Sequence, residues 1–372
     1  MSPAAALSQL VEQSLPRLVP CKRLGLRQGE VLIHAPGFED RTLASAEIIG
    51  RTRKAQAILL RYRPKNSTNR LGEVRERLAA RGVENSDYHV LTYDRFAPAH
   101  FEKHLRTKLR GMRATGVVVD VSTMSKLAIL LVLNTCFALK LRVRIFYAEA
   151  EEYGPNRAEF DAAKVAGKVH QPTLQIFTGV HGVVRVSSLA SVAMQGQPTA
   201  AIVFMSFNDA LTQVLLNTVY PGRLLLINGR PPVHIWREQA TAWIHDQVRR
   251  EWENDNPVRK LSKVGGVPMP KRVTCTLDYK QTANLLLKLY WDLSPNHRVL
   301  LAPSGSKMQA VGCFLVKALH PDIHIEYPSP EGFQPEYSRG IGERWLLDFG
   351  DMNKRIAVLS AQEHRLALQI PT

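Results

Sequence analysis

Between residues 30 and 148 short apolar runs alternate with amphipathic segments, and the same alternation restarts at residue 200. This feature constrains the chain most, because strands that are apolar throughout need helices on both faces of their sheet. The first series reads as strands in EVLIHA (30–35), AQAILLRY (55–62), YHVLTY (88–93), GVVVDV (116–121) and RVRIFYA (142–148). Between them lie the helical segments DRTLASAEIIGRTRK, RLGEVRERLAARG, PAHFEKHLRTKLRG and SKLAILLVLNTCFALK. The second series has strands in AAIVFM (200–205), GRLLLING (222–229), RVTCTLDY (272–279), RVLLAP (298–303) and DIHIEYP (322–328), again separated by helical segments. Each series predicts a Rossmann-like unit of about five parallel strands.

Corresponding strand ends carry related residues. GFEDR (37–41) matches SFNDA (206–210), which aligns Phe38 with Phe207 and Asp40 with Asp209. Arg-Pro follows the second strand in both series, at 63–64 and 230–231. LTYD (91–94) matches CTLD (275–278), STMSK (122–126) matches PSGSK (303–307), and YAEAEEY (147–153) matches YPSPEGF (327–333). Matches in one order, all at strand ends, predict an internal duplication. The expected fold class is therefore α/β, with two tandem Rossmann-like parallel-sheet domains. Domain 1 is expected over 30–155 and domain 2 over 199–340, with an N-terminal extension (1–29), a connecting insertion (156–198) and a C-terminal tail (341–372). Within the insertion, 156–172 is helix-compatible and 173–189 reads as strands or an irregular segment. The stretch 254–272, rich in Pro, Gly and charge, reads as an exposed loop, and the tail as one more strand or helix.

Charge narrows the partners. The chain has 49 Lys and Arg against 33 Asp and Glu, a net +16, which favours a polyanion: nucleic acid, a phosphorylated metabolite or an acidic protein. The basic residues are spread, with clusters at 51–54, 61–65, 103–110 and 258–263, so a disordered basic arm is not expected. Cys21, Cys136, Cys275 and Cys313 form no C-x-x-C pair, which argues against zinc and against a disulfide framework. No metal and no cofactor is expected, and a reducing cytoplasm is the expected compartment. The N-terminus lacks the apolar core of a signal peptide. The longest apolar run, LAILLVLNTCFAL, is too short to span a bilayer and contains Asn134, so it reads as a buried helix and no membrane partner is expected.

Ligands of open parallel sheets bind beyond the carboxyl ends of the strands, where all the matched motifs lie. A hydroxyl-rich loop with a lysine at a helix start suits an anion, because the first helical amides point outward with partial positive charge. Ser122, Thr123, Ser125 and Lys126 form one such loop, and Ser304, Gly305, Ser306 and Lys307 the other. The competing reading is an ordinary helix N-cap, and PSGSK lacks the spacing of a Walker A loop. Phe38, Asp209, Glu331 and Arg339 are further candidate ligand-binding residues. Glu39, Asp40 and Glu149 are the candidate catalytic carboxylates, although acids also favour helix starts. Glu149, with Glu151 and Glu152, forms either a solvated face or a ribose-binding rim. His34 and His181 lie near loop glycines. H-E-x-x-H, G-x-S-x-G and G-x-G-x-x-G are all missing, so metalloprotease, α/β-hydrolase and dinucleotide-dehydrogenase readings lack their main support. Trp236, Trp243 and Trp252 read as packing residues.

A five-stranded unit with a Ser/Thr/Gly-plus-Lys loop after its fourth strand resembles the CRISPR-associated Rossmann fold sensors and related nucleotide-sensing modules of prokaryotic defence. The resemblance covers the two α/β units. It implies that Ser304, Gly305, Ser306 and Lys307 contact a cyclic oligonucleotide, with Ser122, Thr123, Ser125 and Lys126 in the partner unit. The glycine-rich form of the loop is absent from the first copy. The expected function is a cytoplasmic nucleotide- or oligonucleotide-binding protein, a sensor or accessory subunit of antiviral defence. Nucleic acid and partner proteins of a defence complex are further candidate partners. Two alternatives are an enzyme acting on a phosphorylated nucleoside or sugar, and a nucleic-acid-binding scaffold subunit. If the two units face each other, STMSK and PSGSK should line one cleft with Glu149 and Glu331 near its rim.

Overall fold

The computed structural model describes residues 3–51, 55–65, 68–83, 87–170, 174–255 and 272–367. Helix α1 (Pro3–Ser14) and strand β1 (Val19–Pro20) precede the first series. That series comprises β2 (Glu30–His34), α2 (Ala44–Ile48), β3 (Gln56–Arg63), α3 (Leu71–Ala80), β4 (Tyr88–Asp94), α4 (Phe101–Gly111), β5 (Gly116–Asp120), α5 (Lys126–Ala138) and β6 (Arg142–Ala148). After β7 (Glu152–Tyr153), α6 (Arg157–Val165) and β8 (Phe177–Arg185) comes the second series. It comprises β9 (Thr199–Phe204), α7 (Ala210–Val219), β10 (Arg223–Arg230), α8 (Trp236–Asp255), β11 (Val273–Cys275), α9 (Tyr279–Leu293), β12 (Arg298–Ala302), α10 (Lys307–Leu319) and β13 (His324–Phe333). β14 (Ser338–Arg339), β15 (Arg344–Asp351) and α11 (Met352–Ala367) follow.

The architecture is α/β, with a seven-stranded sheet in the order β1-β15-β6-β5-β2-β3-β4 and a six-stranded sheet in the order β11-β10-β9-β12-β13-β8. In both, the first strand of the series lies between its second and fourth, with the third and fifth outside them. Within each series every pairing is parallel. The sheets as wholes are mixed, which corrects the expectation of purely parallel sheets. β15 runs antiparallel on β6, and β8 runs antiparallel on β13. Each covers the fifth strand, whose outer edge would otherwise expose unpaired backbone groups.

The covering strands come from outside the series they complete. The compact units are accordingly discontinuous: Gln13–Tyr153 with Pro335–Val358, and Gly154–Gln334 with Met1–Glu12 and Leu359–Thr372. The segment expected as a separate insertion supplies β8 to the second sheet, and the expected tail supplies β15 to the first.

Residue type explains the elements. All five residues of β5 are buried, as a strand covered on both faces requires. α5 is buried on nearly every side, from Leu127 to Cys136, as its continuous apolar sequence requires. α4 buries only the stripe Phe101, Leu105 and Leu109. The helix expected over 40–54 is shorter: a single 3-10 turn (Asp40–Leu43) and then α2. It stops because Ile49 is extended and bridges Leu24, with the Gly50 amide donating to the Leu24 carbonyl at 2.9 Å. The basic clusters at 52–54 and 258–263, and the loop expected over 254–272 from residue 256 to 271, lie outside the described residues. No described helix is long and apolar enough to cross a membrane.

Candidate anion-binding site

The carboxyl end of the first sheet rests on a buried polar layer. His34, the last residue of β2, places Nδ1 3.0 Å from Oδ2 of Asp120, the last residue of β5. Burial pushes the Asp120 carboxyl up, but His34, Ser122 and Ser45 outweigh it and hold its pKa below the ordinary value. Thr42 Oγ1 lies 3.4 Å from His34 Nε2 and accepts the Gly37 amide at 2.9 Å. Thr123 Oγ1 donates to the Ala35 carbonyl at 2.6 Å. Gly37 sits directly on this threonine: a Cβ there would come within 3.0 Å of Thr123 Cβ, so the close approach of the two loops calls for glycine. Ser122 Oγ accepts the Ala148 amide at 2.9 Å, which ties the end of β5 to that of β6.

A charged group lies among the strand-end loops of the same unit. Arg41 is 3% exposed and donates from Nε to Glu39 Oε2 at 2.7 Å. It also donates to the hydroxyls of Tyr153 (3.1 Å) and Tyr337 (3.2 Å). Ser338 Oγ donates to Glu39 at 2.6 Å. Burial opposes the Arg41 charge, yet Glu39 and the tyrosines leave its pKa well above the usual value. Burial also raises the Tyr62 phenol, and burial with Glu39 raises that of Tyr337, so both remain neutral hydroxyls. Tyr62 Oη accepts the Ser125 amide at 2.7 Å.

Lys126 opens α5 beside this group. Burial, then the Arg41 charge, lowers its amine to about 8 against the partial compensation of Glu39. Its ammonium makes no hydrogen bond or ion pair with any described residue. Two cations therefore face one carboxylate, beside a helix N-terminus whose leading amides lack intrahelical acceptors.

The other sequence-derived candidates in this unit take structural places. Ser125 is the α5 N-cap, accepting the Ala128 amide at 3.2 Å. Asp40 accepts Arg70 at 2.7 Å and the Gly340 amide at 2.9 Å. Glu149 accepts Trp345 Nε1 at 2.9 Å. Phe38 meets Tyr337 edge to face at 6.1 Å. Arg339 is 65% exposed and pairs with Glu336, so it stays outside the group, while its neighbours Tyr337 and Ser338 enter it. Arg41, Tyr62, Tyr153 and Tyr337 were not among the sequence-derived candidates. Arg41 stands within GFEDR, and Tyr153 and Tyr337 close YAEAEEY and EY, but nothing in those motifs says that their side chains converge.

In the other unit, Ser306 caps α10 in a reciprocal capping box with Gln309, and its hydroxyl donates to the Thr276 carbonyl at 2.6 Å. A Cβ on Gly305 would lie 2.2 Å from Gln309 Oε1 and 3.1 Å from Phe204 Cβ, so the glycine makes room for that capping glutamine. Ser304 is buried, and Lys307 is the first residue of α10. Asp209 is buried, 3.7 Å from His170 Nδ1, with its carboxyl raised by burial against the lowering effect of His170. Glu331 is exposed on β13. Trp236 and Trp243 pack on Phe160, and Trp252 joins the core beneath α8.

The sequence matches no protein-family model and no curated protein. Among the described residues no group of three or more His, Cys, Asp and Glu is placed to hold a metal ion.

Proposed function

We propose that the unit containing Glu39, Arg41 and Lys126 binds the phosphate of a nucleotide or oligonucleotide at the carboxyl end of its sheet. The observation that carries the reading is the Lys126 ammonium, partly withdrawn from water, beside a second cation and without a contacting counter-ion. A desolvated ammonium in that setting gains most from an anion. The first helical amides of α5, at Lys126 and Leu127, suit the remaining phosphate oxygens. The location beyond the strand ends is the usual one for ligands of open α/β sheets.

The finer reading is a sensor or accessory subunit of prokaryotic antiviral defence, built by internal duplication. The shared strand order of the two sheets and the serine-capped Lys-bearing helix after each fourth strand support it. Acid–base catalysis by Glu39, Asp40 and Glu149 is less favoured, because each carboxylate is engaged by a donor of the protein itself.

The test is mass spectrometry of small molecules released from the purified, denatured protein, followed by calorimetric titration with what is found. Lys126→Met keeps the aliphatic stem and removes the charge. It should weaken binding by roughly ten- to a hundredfold, the range of one charge-assisted contact. Undiminished affinity in this variant, or a co-purified ligand without phosphate, would refute the assignment.

A further inference from the structure

Helix α4 carries Lys103, Arg106, Lys108 and Arg110, and Arg113 follows its end. Because Phe101, Leu105 and Leu109 form its buried stripe, the remaining face looks away from the core. Lys103, His104, Thr107, Arg110 and Arg113 are exposed, and Arg106 and Lys108 are half-buried. None of the five cationic groups is ion-paired or hydrogen-bonded to a described residue, and the buried Nε of Arg106 has no acceptor. Glu102, the acid of this helix, is engaged by Asn134 of α5 at 2.9 Å. Other arginines of the same unit, including Arg27, Arg70 and Arg344, do meet carboxylates.

Helix stability does not account for these charges. Cations near the carboxyl end favour the helix dipole, which explains Lys108 and Arg110. Lys103 stands in the first turn, where a cation is unfavourable. Lys103 with Arg106, and Arg106 with Arg110, are like charges at the spacings that bring side chains together and oppose the helix. The surrounding unit adds to the field, with 29 Lys and Arg against 18 Asp and Glu. His89 on β4 responds to this field: burial, then the Lys108 charge, lowers its pKa, so the imidazole adds no charge of its own.

The face also lacks what other partners need. None of its exposed residues is a large apolar one, so it has neither the anchors of a protein interface nor the apolar side of a membrane-lying helix. It has no Phe, Tyr or Trp on which unpaired bases would stack. From Lys103 to Arg113 the cations run for roughly 15 Å at the helical rise.

We propose that this face binds the phosphate backbone of a double-stranded nucleic acid without reading its sequence. Lys103, Arg110 and Arg113 are the principal contacts, and Thr107 adds a hydroxyl donor. The inference does not depend on the strand-end ligand site. Duplex DNA and duplex RNA present the same phosphate chemistry, so the measurement carries both.

The experiment is fluorescence anisotropy with labelled DNA and RNA duplexes of about two helical turns across a range of salt, with single strands, anionic vesicles and polyglutamate as the other arms. For K103Q/R110Q/R113Q, the slope of log affinity against log salt should fall by about three, one for each lost phosphate contact. R110K/R113K, which keeps the charge, should bind as the parent does. Neutralising Arg157, Lys164 and Lys168 on and after α6 should leave the slope nearly unchanged. Should the triple variant melt early, Lys103→Gln alone reads the same contact through a slope change of about one. Equal slopes in parent and triple variant would overturn the proposal. So would tighter binding to polyglutamate, vesicles or single strands than to either duplex.

Discussion

The loops after the two fourth strands start alike and end differently. In both, a serine caps the following helix and a lysine is its first residue. Around Ser306, Gln309 closes the capping box and reaches Thr274 at 2.9 Å, and Gly305 leaves room for it. Around Ser125 the neighbours include Tyr62 and, one residue further, the Lys126 ammonium near Arg41 and Glu39. The same capped start can thus stand beside a buried charged group, as it does at Ser125. What differs is the loop after the first strand. GFEDR places Glu39 and Arg41 where SFNDA has Asn208 and Ala210.

Arg41→Ala should cost about 3–5 kcal/mol, because it leaves Glu39 buried without its cation. Glu39→Asn together with Arg41→Ala copies the other loop and removes both charges. The double variant should therefore recover a large part of the loss, a coupling that a double-mutant cycle measures directly. Additive losses in denaturant unfolding would mean that Glu39 and Arg41 do not act as a unit.

The two α/β series were readable because each strand declares itself by local composition. GVVVD has no polar face, and the LAILLV run has no polar side. The helix after β2 is shorter than its periodicity suggests because its end depends on the bridge from Ile49 to Leu24, a pairing that helical periodicity does not register. The covering strands were hidden for a related reason. RWLLDFGD could be seen as a strand, but its partner β6 lies about two hundred positions earlier, and no pattern within the segment names it. The site follows the same division. Ser125 and Lys126 could be picked from one motif, whereas Arg41 meets Tyr337 only because β14 pairs with β7 and brings residues 296 apart together.

Titration sharpens the difference between the two lysine loops. The Lys126 amine, held to about 8 against an ordinary 10.5, should acylate faster near pH 8 than other lysines, which peptide mapping can follow. The sign for stability follows from the folded value being the lower one. Between about 8 and 10.5 the unfolded chain holds the proton more tightly, so this group's contribution to stability rises as pH rises through that window. Below about 8 both states are protonated, and the cost of burying the ammonium is fully present. A phosphate would raise the folded pKa again. Binding at about pH 8 should then take up protons, visible as a dependence of calorimetric heat on buffer ionisation. If that uptake persists in Lys126→Met and vanishes in Lys307→Met, the charged site has been assigned to the wrong loop.

The smallest effects test whether the two caps are alike. Ser125→Ala removes one N-cap bond, to Ala128, and should cost about 1 kcal/mol. Ser306→Ala removes the corresponding bond to Gln309 and also the donation to the Thr276 carbonyl at 2.6 Å. With a further net hydrogen bond lost, its cost should be about 2 kcal/mol. Two compact units need not unfold together, so a global melt could blur this difference. Hydrogen exchange at the first-turn amides of α5 and α10 reads each cap in place, and protection should fall further in Ser306→Ala than in Ser125→Ala. The reverse order would mean that the Ser125 hydroxyl contributes more than a cap, and that the charged site depends on it through the neighbouring contact from the Ser125 amide to Tyr62.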